Sequence, residues 1–169
     1  MSEIVIVEDY ENDARLLERA LRAGGVLNRI HHIWNSGQAI NYLFEAERQP
    51  GAGEPARRII LLDIKLPGHS GFDMLTLMKG RKCFSNTLRI VVSQLDDTHS
   101  VKRAYDLGAN SFLGKPVSQA ELAAIIHAFP DYWELSEDAA AGFKLSQARE
   151  INGDELRAIG SDFTTRISF

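Results

Sequence analysis

The sequence predicts an α/β fold built on one doubly wound, five-stranded parallel sheet, followed by a C-terminal extension. Short apolar runs, several of them β-branched, alternate along the chain with amphipathic segments of helical period. The runs at 4–7 and 59–62 are apolar at every position, as expected of strands that are covered on both faces. Five strands alternating with five helices require right-handed crossovers, which place helices on both faces of a parallel sheet.

The predicted elements follow one another with short connections. Strands are predicted at 4–7, 29–34, 59–62, 89–93 and 111–114, and helices at 12–23, 37–48, 72–79, 98–107 and 119–129. Ala14, Leu17 and Leu21 form the apolar stripe of the first helix, and two glycines stop it at 24–25. The segment at 49–56 is a loop by composition.

Capping residues mark the start of three helices. Ser36 is the expected N-cap of the second helix. Ser70 with Asp73, and Ser118 with Glu121, have the spacing of capping boxes, in which two side chains satisfy backbone N–H groups reciprocally. These signals predict where the third and fifth helices begin.

Chain length predicts one domain with residues to spare, since 169 residues can bury one full core. We expect residues 1–130 to form the α/β domain and residues 131–169 to form an extension without a separate output domain. The extension starts acidic and has no helix-turn-helix pattern. Its apolar residues, scattered from Tyr132 to Ile167, could fold back on the domain or pack against a second copy. A partly disordered tail is the alternative, because glycines interrupt any long helix.

Composition excludes several classes of function. The formal net charge of -4 gives no basic surface for sequence-independent DNA binding. Cys83 is the single cysteine, so an internal disulfide is excluded and a reducing compartment is expected. The sequence has no signal-peptide pattern at its start and no apolar run of membrane-spanning length. We therefore expect a cytoplasmic protein that binds neither DNA nor membranes.

Polar residues directly follow the predicted strands. Glu8 and Asp9 follow the first strand, Asp63 the third, Ser93 ends the fourth, and Lys115 follows the fifth. In open α/β sheets ligands bind beyond the carboxyl ends of the strands, where the strand order switches. Three carboxylates brought together raise one another's pKa unless a cation intervenes, and an all-oxygen set favours Mg²⁺ over Ca²⁺ or softer metals. The ammonium and hydroxyl beside such a site can bind phosphoryl oxygens.

This arrangement resembles the receiver domain of two-component response regulators over about residues 1–130. The acid pair Glu8-Asp9, the acceptor Asp63 in "LLDIKLPGHSG", the hydroxyl of Ser93 and the Lys115-Pro116 pair match the family's pattern in order and spacing. The resemblance implies a flavodoxin-like (βα)5 fold. It also implies a cis peptide bond between Lys115 and Pro116.

The same resemblance implies roles for individual residues. Asp63 would be the phosphoacceptor, stabilised by Lys115 and Ser93, with Mg²⁺ held by Glu8, Asp9, Asp63 and the backbone carbonyl of Lys65. Ser93 and Phe112 would form the switch, with Ser93 moving toward the phosphoryl group and Phe112 following it inward. The partner would be a histidine kinase, and the "FPDYWEL" stretch is similar to regulators paired with bacterial phytochrome kinases.

Several functions remain open from the sequence. The first is a single-domain response regulator, a phosphoprotein whose output is a changed protein contact such as a homodimer; a phosphorelay intermediate is its variant. Such a protein is no enzyme beyond its own phosphorylation and dephosphorylation. A degenerate receiver that acts as a phosphorylation-independent binding module is a further alternative. A Mg²⁺-dependent phosphatase with an aspartyl phosphate would need a D-x-D pair in its first loop, where this chain has Glu8-Asp9.

Overall fold

The fold is an α/β sandwich of the predicted type. The computed structural model describes residues 2–45 and 57–142. Its strands are β1 (Glu3–Val7), β2 (Ile30–Ile33), β3 (Arg58–Leu62), β4 (Thr87–Ser93) and β5 (Ser111–Gly114). Its helices are α1 (Glu11–Ala23), α2 (Ser36–Glu45), α3 (Gly71–Met78), α4 (Thr98–Asp106) and α5 (Gln119–Ala128), with short 3₁₀ turns at Lys82–Phe84 and Pro130–Tyr132.

The sheet is parallel throughout, in the order β2-β1-β3-β4-β5. The strand order reverses direction at β1, which pairs with β2 on one side and with β3 on the other. Val7 lies opposite Leu62, so β1 and β3 end at the same level. This common end places the residues that follow the two central strands side by side.

Side chains that alternate along the strands fill two hydrophobic layers. Ile4 and Ile6 of β1 face α1 and α5, whereas Val5 and Val7 face α2, α3 and α4. All four are at most 1% exposed, which explains why the run is apolar at every position. The prediction of a doubly wound sheet is confirmed.

The structure corrects the predicted cap of α2. Ser36 is the first residue of the helix rather than its cap, and the side chain of Asn35 accepts the hydrogen bond from the Gln38 amide at 2.8 Å. The Ser36 hydroxyl is fully buried and instead bridges to the chain after β3. Both predicted capping boxes are present, at α3 and α5. The predicted end of the second helix at residue 48 and the loop at 49–56 lie outside the described residues.

The limits of the first four strands differ from the prediction by one or two residues, whereas those of β5 agree with it. β2 is shorter than expected at both ends, and β4 begins at Thr87. Trp34, predicted to lie in the second strand, falls after it with 43% of its surface exposed. Every helix in the described part of the chain is too short or too polar to span a membrane.

Residues 132–139 pack against the loop between α1 and β2. Trp133 is 8% exposed within the layer formed by α1 and α5, and Leu135 forms an antiparallel bridge with Val26. Asn28 is fully buried and bonds to this segment at two points. The first part of the predicted extension therefore lies on the domain, while residues 143–169 fall outside the described part of the chain.

Candidate functional site

Backbone pairing of the central strands brings two acids together. The Asp63 amide donates to the Val7 carbonyl at 3.1 Å, and the Glu8 amide donates to the Ile33 carbonyl at 3.1 Å. The strand ladder thus continues one residue past β1 and β3 and holds both acids in register. Glu8 is 4% exposed and Asp63 is 7% exposed, whereas Asp9 points to solvent.

Lys115 joins the carboxylates into one cluster. Its ammonium donates to Glu8 Oε2, to Asp13 Oδ2 at 2.9 Å and to Asp63 Oδ2 at 3.1 Å. The Lys115 side chain is 13% exposed, so these contacts are shielded from water. The peptide bond between Lys115 and Pro116 is cis, as the resemblance implied.

Burial and the neighbouring charges shift the pKa values of Glu8 and Lys115. Burial raises the pKa of Glu8 above its usual value, and the charge of Asp63 adds to the rise against the opposing hydrogen bonds from Lys115 and Tyr10. Burial lowers the pKa of Lys115, but its contacts with Glu8, Asp13 and Asp63 outweigh burial and raise it overall. Lys115 is therefore charged at neutral pH, and the cluster keeps an excess of negative charge.

The acids can accommodate a divalent cation. Glu8, Asp9 and Asp63 each offer one oxygen such that the three atoms lie within 4.8 Å of one another. Carboxylate oxygens without sulfur or nitrogen ligands suit Mg²⁺, which keeps several waters and takes only one or two carboxylates directly. The residues present therefore fit Mg²⁺, and the exposure of Asp9 leaves the cluster open to solvent on one side.

The remaining predicted site residues lie around this cluster. Ser93 is 1% exposed at the end of β4, and its hydroxyl accepts from the Leu95 amide at 3.2 Å. The Lys65 amide donates to Asp63 Oδ1 at 3.3 Å, so the chain after Asp63 curls back toward the carboxylate. Phe112 pairs with Val91 in the sheet and is already buried, at 2% exposure.

The loop after Asp63 is held from two sides. The Ser36 hydroxyl donates to the Pro67 carbonyl at 2.9 Å and accepts from the His69 amide at 2.8 Å. Gly71 donates to the Ile64 carbonyl at 2.9 Å and allows α3 to approach closely. A Cβ atom at this glycine would lie 2.3 Å from the Asp63 carbonyl oxygen. These contacts fix the backbone that carries Asp63.

Asp13 belongs to the site although the sequence analysis missed it. It lies in the first turn of α1, where an acid is ordinarily explained by the helix dipole. An acid one helical turn beyond the strand-end pair was the signal that could have identified it. Asp13 and Lys115 also share the wall of an adjoining cavity of about 300 Å³, which Gln94 and Leu16 help to line.

Comparison with known proteins agrees with this geometry. A family model described as the response regulator receiver domain matches residues 4–127. The chain belongs to this family. The receiver domain is 30% identical over 130 residues to a probable methanogenesis regulatory protein, FilR2, of Methanothrix harundinacea, covering 77% of this chain and 82% of that protein. It spans 49% and 64% of the length of two further curated relatives.

Solved receiver structures share the fold. A receiver domain from Rhodospirillum rubrum is 32% identical with a TM-score of 0.62, covering 81% of this chain and 98% of that one. The bacteriophytochrome response regulator AtBRR is 26% identical with a TM-score of 0.61, covering 80% of this chain and 96% of that one. The resemblance on which the residue roles were predicted is thus a family membership.

Proposed function

We propose that this receiver accepts a phosphoryl group on Asp63 from a partner histidine kinase, in a Mg²⁺-dependent reaction in the cytoplasm. The observation that carries the proposal is the buried Asp63 carboxylate, which belongs to the acidic cluster with Glu8 and Asp9 and also accepts from the Lys115 ammonium. The chain's own chemistry would then be limited to gaining and losing this group, without turnover of other substrates.

The site residues have distinct roles in this reaction. A carboxylate oxygen of Asp63 attacks the phosphorus, the bond from phosphorus to the donor nitrogen breaks, and the imidazole keeps the electron pair and takes up a proton. Lys115 pairs with a phosphoryl oxygen, and the Ser93 hydroxyl donates to another. Mg²⁺ bound by Glu8, Asp9, Asp63 and the Lys65 carbonyl would supply the charge that offsets the phosphoryl oxygens.

The proposed output is a change in protein contacts through Ser93 and Phe112. Ser93 is the last residue of β4, and Val91 of β4 lies opposite Phe112 of β5. A shift of Ser93 therefore acts on β5. Phe112 also packs in the layer that contains Ala104 of α4. A phosphoryl group that draws Ser93 toward Asp63 would thereby bias the surface made by α4, β5 and α5, which can serve a homodimer.

The proposed kinase is of the phytochrome type. Support comes from the 26% identity to a solved protein named as a bacteriophytochrome response regulator, over 96% of that chain. Mixing the phosphorylated form of such a kinase with this receiver should move the label to Asp63. A kinase of another class that transfers its phosphoryl group faster would overturn this choice without affecting the acceptor role of Asp63.

Incubation with acetyl phosphate tests the acceptor role directly. The wild type should gain the mass of one phosphoryl group in Mg²⁺ and remain unmodified in EDTA. Asp63→Asn should remain unmodified in both conditions. Asp96→Asn is the matched control, because Asp96 is an exposed aspartate at the same edge of the sheet, after β4, and should label like the wild type.

The alternatives predict different results. An unmodified wild type that still binds its partner would indicate a phosphorylation-independent module. Rapid passage of the group from Asp63 to a histidine on a second protein would indicate a relay intermediate. Sizing the phosphorylated and unphosphorylated protein tests the dimer, and an unchanged monomer would contradict it.

A further inference from the structure

Lys115 holds the same carboxylates that a cation would need. Its ammonium contacts Glu8 and Asp63, and both acids belong to the cluster whose ligand oxygens lie within 4.8 Å. A carboxylate that already pairs with the ammonium attracts a divalent cation less strongly, because the two cations repel each other at this short range. Divalent-cation binding is therefore favoured when Lys115 loosens its hold on Glu8 and Asp63.

The Lys115 ammonium cannot simply exchange its contacts with Glu8 and Asp63 for contacts with water. Its side chain is 13% exposed, and a buried ammonium without a partner is strongly unfavourable. Among the described contacts of its ammonium, one acid lies outside the cation cluster. This acid is Asp13, at 2.9 Å, on the first turn of α1 and itself 22% exposed.

We infer that Asp13 is a positioning residue that retains Lys115 when Glu8 and Asp63 turn to a divalent cation. An ammonium has three N–H donors, so one can stay on Asp13 while the others become available to an incoming phosphoryl oxygen. Asp13 thereby lets the cation bind without displacing Lys115 from the site. This inference rests on the proposed function, which it deepens.

Asp13 is suited to this role by its place in the fold. α1 is anchored on the sheet through its buried stripe of Ala14, Leu17 and Leu21, so the carboxylate is carried by a rigid element. Asp13 and Lys115 line the same cavity, and Asp13 reaches the Lys115 ammonium from α1. Glu11 in the same helical turn pairs instead with Arg15, and both side chains are exposed.

A double-mutant cycle on the affinity for Mg²⁺ tests the inference. Isothermal titration of the full chain with Mg²⁺ alone measures the Kd for the wild type, Asp13→Ala, Lys115→Ala and the double variant. Asp13→Ala should weaken binding by about fivefold or more, since interacting charged residues couple by this order. Lys115→Ala should tighten binding because it removes the competing ammonium.

The decisive comparison is made in the Lys115→Ala background. In that background, removing Asp13 should weaken Mg²⁺ binding no more than removing one distant negative charge does, because the ammonium that Asp13 would retain is gone. Glu11→Gln measures that charge effect in the same turn of α1. Asp13→Glu, which restores a carboxylate, should recover most of the wild-type affinity.

Two results would overturn the inference: an effect of Asp13→Ala no larger than that of Glu11→Gln, or an equal effect with and without Lys115. Should Asp13→Ala fail to fold, Asp13→Asn carries the same comparison. The outcome is separable from the proposed function. Failure of the wild type to accept a phosphoryl group refutes the acceptor role, whereas a labelled wild type without coupling between Asp13 and Lys115 refutes this inference alone.

Discussion

Replacing Asn28 should detach the segment that follows α5. Asn28 is fully buried, and its amide nitrogen donates to the Ser2 carbonyl at 2.8 Å and to the Tyr132 carbonyl at 2.9 Å. Its amide oxygen accepts from the Glu134 amide at 2.7 Å. One side chain therefore joins the start of the chain, the α1–β2 loop and residues 132–134.

The structure sets the magnitude of the loss. Each hydrogen bond contributes about 1 kcal/mol net, and a buried partner left unsatisfied costs about 1–3 kcal/mol. Three such partners make the expected cost of Asn28→Ala about 3 kcal/mol of unfolding free energy. This is a large share of the ~5–15 kcal/mol that holds a typical domain folded.

Urea unfolding monitored by tryptophan emission measures this cost. A Trp34→Phe background leaves Trp133, which is 8% exposed, as the remaining tryptophan. Asn28→Ala should lower the midpoint and shift the native emission of Trp133 to the red. Leu27→Ala is the control, because Leu27 is 58% exposed and only its backbone N–H bonds to Glu134, so its effect should stay within about 0.5 kcal/mol.

Asn28→Asp separates hydrogen bonding from packing. Aspartate has the shape of asparagine but would aim a second oxygen at the Ser2 and Tyr132 carbonyls in place of the donor. It should therefore destabilise at least as much as alanine. An aspartate variant as stable as the wild type, or an alanine variant that loses less than about 1 kcal/mol, would refute the reasoning.

Two further predictions concern the site. In EDTA, Glu8→Gln should stabilise the protein at pH 7. Burial raises the pKa of Glu8 in the folded protein above its ordinary value of 4.5. The contribution of Glu8 to stability is therefore complete below pH 4.5 and is lost as the pH rises through the pKa of the folded protein. Thermal melts at pH 4 and pH 7 check this, since the gain should vanish at the lower pH. Gly71→Ala should destabilise by about 1–3 kcal/mol, because its Cβ would meet the Asp63 carbonyl oxygen at 2.3 Å and Ile64 Cα at 2.8 Å. Gly142→Ala, with nothing within 4 Å, should not destabilise and serves as its control in urea unfolding.

The sheet could be predicted from the sequence because a strand that is buried on both faces is apolar at consecutive positions, a pattern visible in the local sequence. β1 and β3 are central strands, so every position is apolar and the polar residue that follows marks the strand end. β2 is an edge strand with two half-buried histidines, and its limits were correspondingly harder to predict. The predicted limits of the fifth strand agree with the structure, because the sequence glycine-lysine-proline ends the strand abruptly.

The two misjudged polar residues show what local sequence does not record. Asn35 and Ser36 are both suitable N-cap residues. Asn35 caps the helix because the Ser36 hydroxyl forms hydrogen bonds with the distant residues Pro67 and His69. Asp13 reads locally as an ordinary acid of a first helical turn, and its contact with Lys115 spans 102 positions. In both cases a tertiary partner decided the role of a residue whose local pattern was ambiguous.

The last prediction concerns how the site and the docked segment at 130–135 could be coupled through α5. Asp63 follows the carboxyl end of β3, whereas Asn28 precedes the amino end of β2, so Asp63 and the docked segment lie at opposite edges of the sheet. A strand of five residues separates these edges by about 15 Å, which excludes direct contact between a phosphoryl group and residues 130–135. The segment follows directly on α5, whose first residue, Gln119, donates to the Ala20 carbonyl of α1 at 3.1 Å. We therefore expect a phosphoryl group on Asp63 to affect residues 130–135 through a movement of α5 against α1. A phosphorylated protein in which Trp133 keeps its emission would indicate instead that α4 and β5 carry the change.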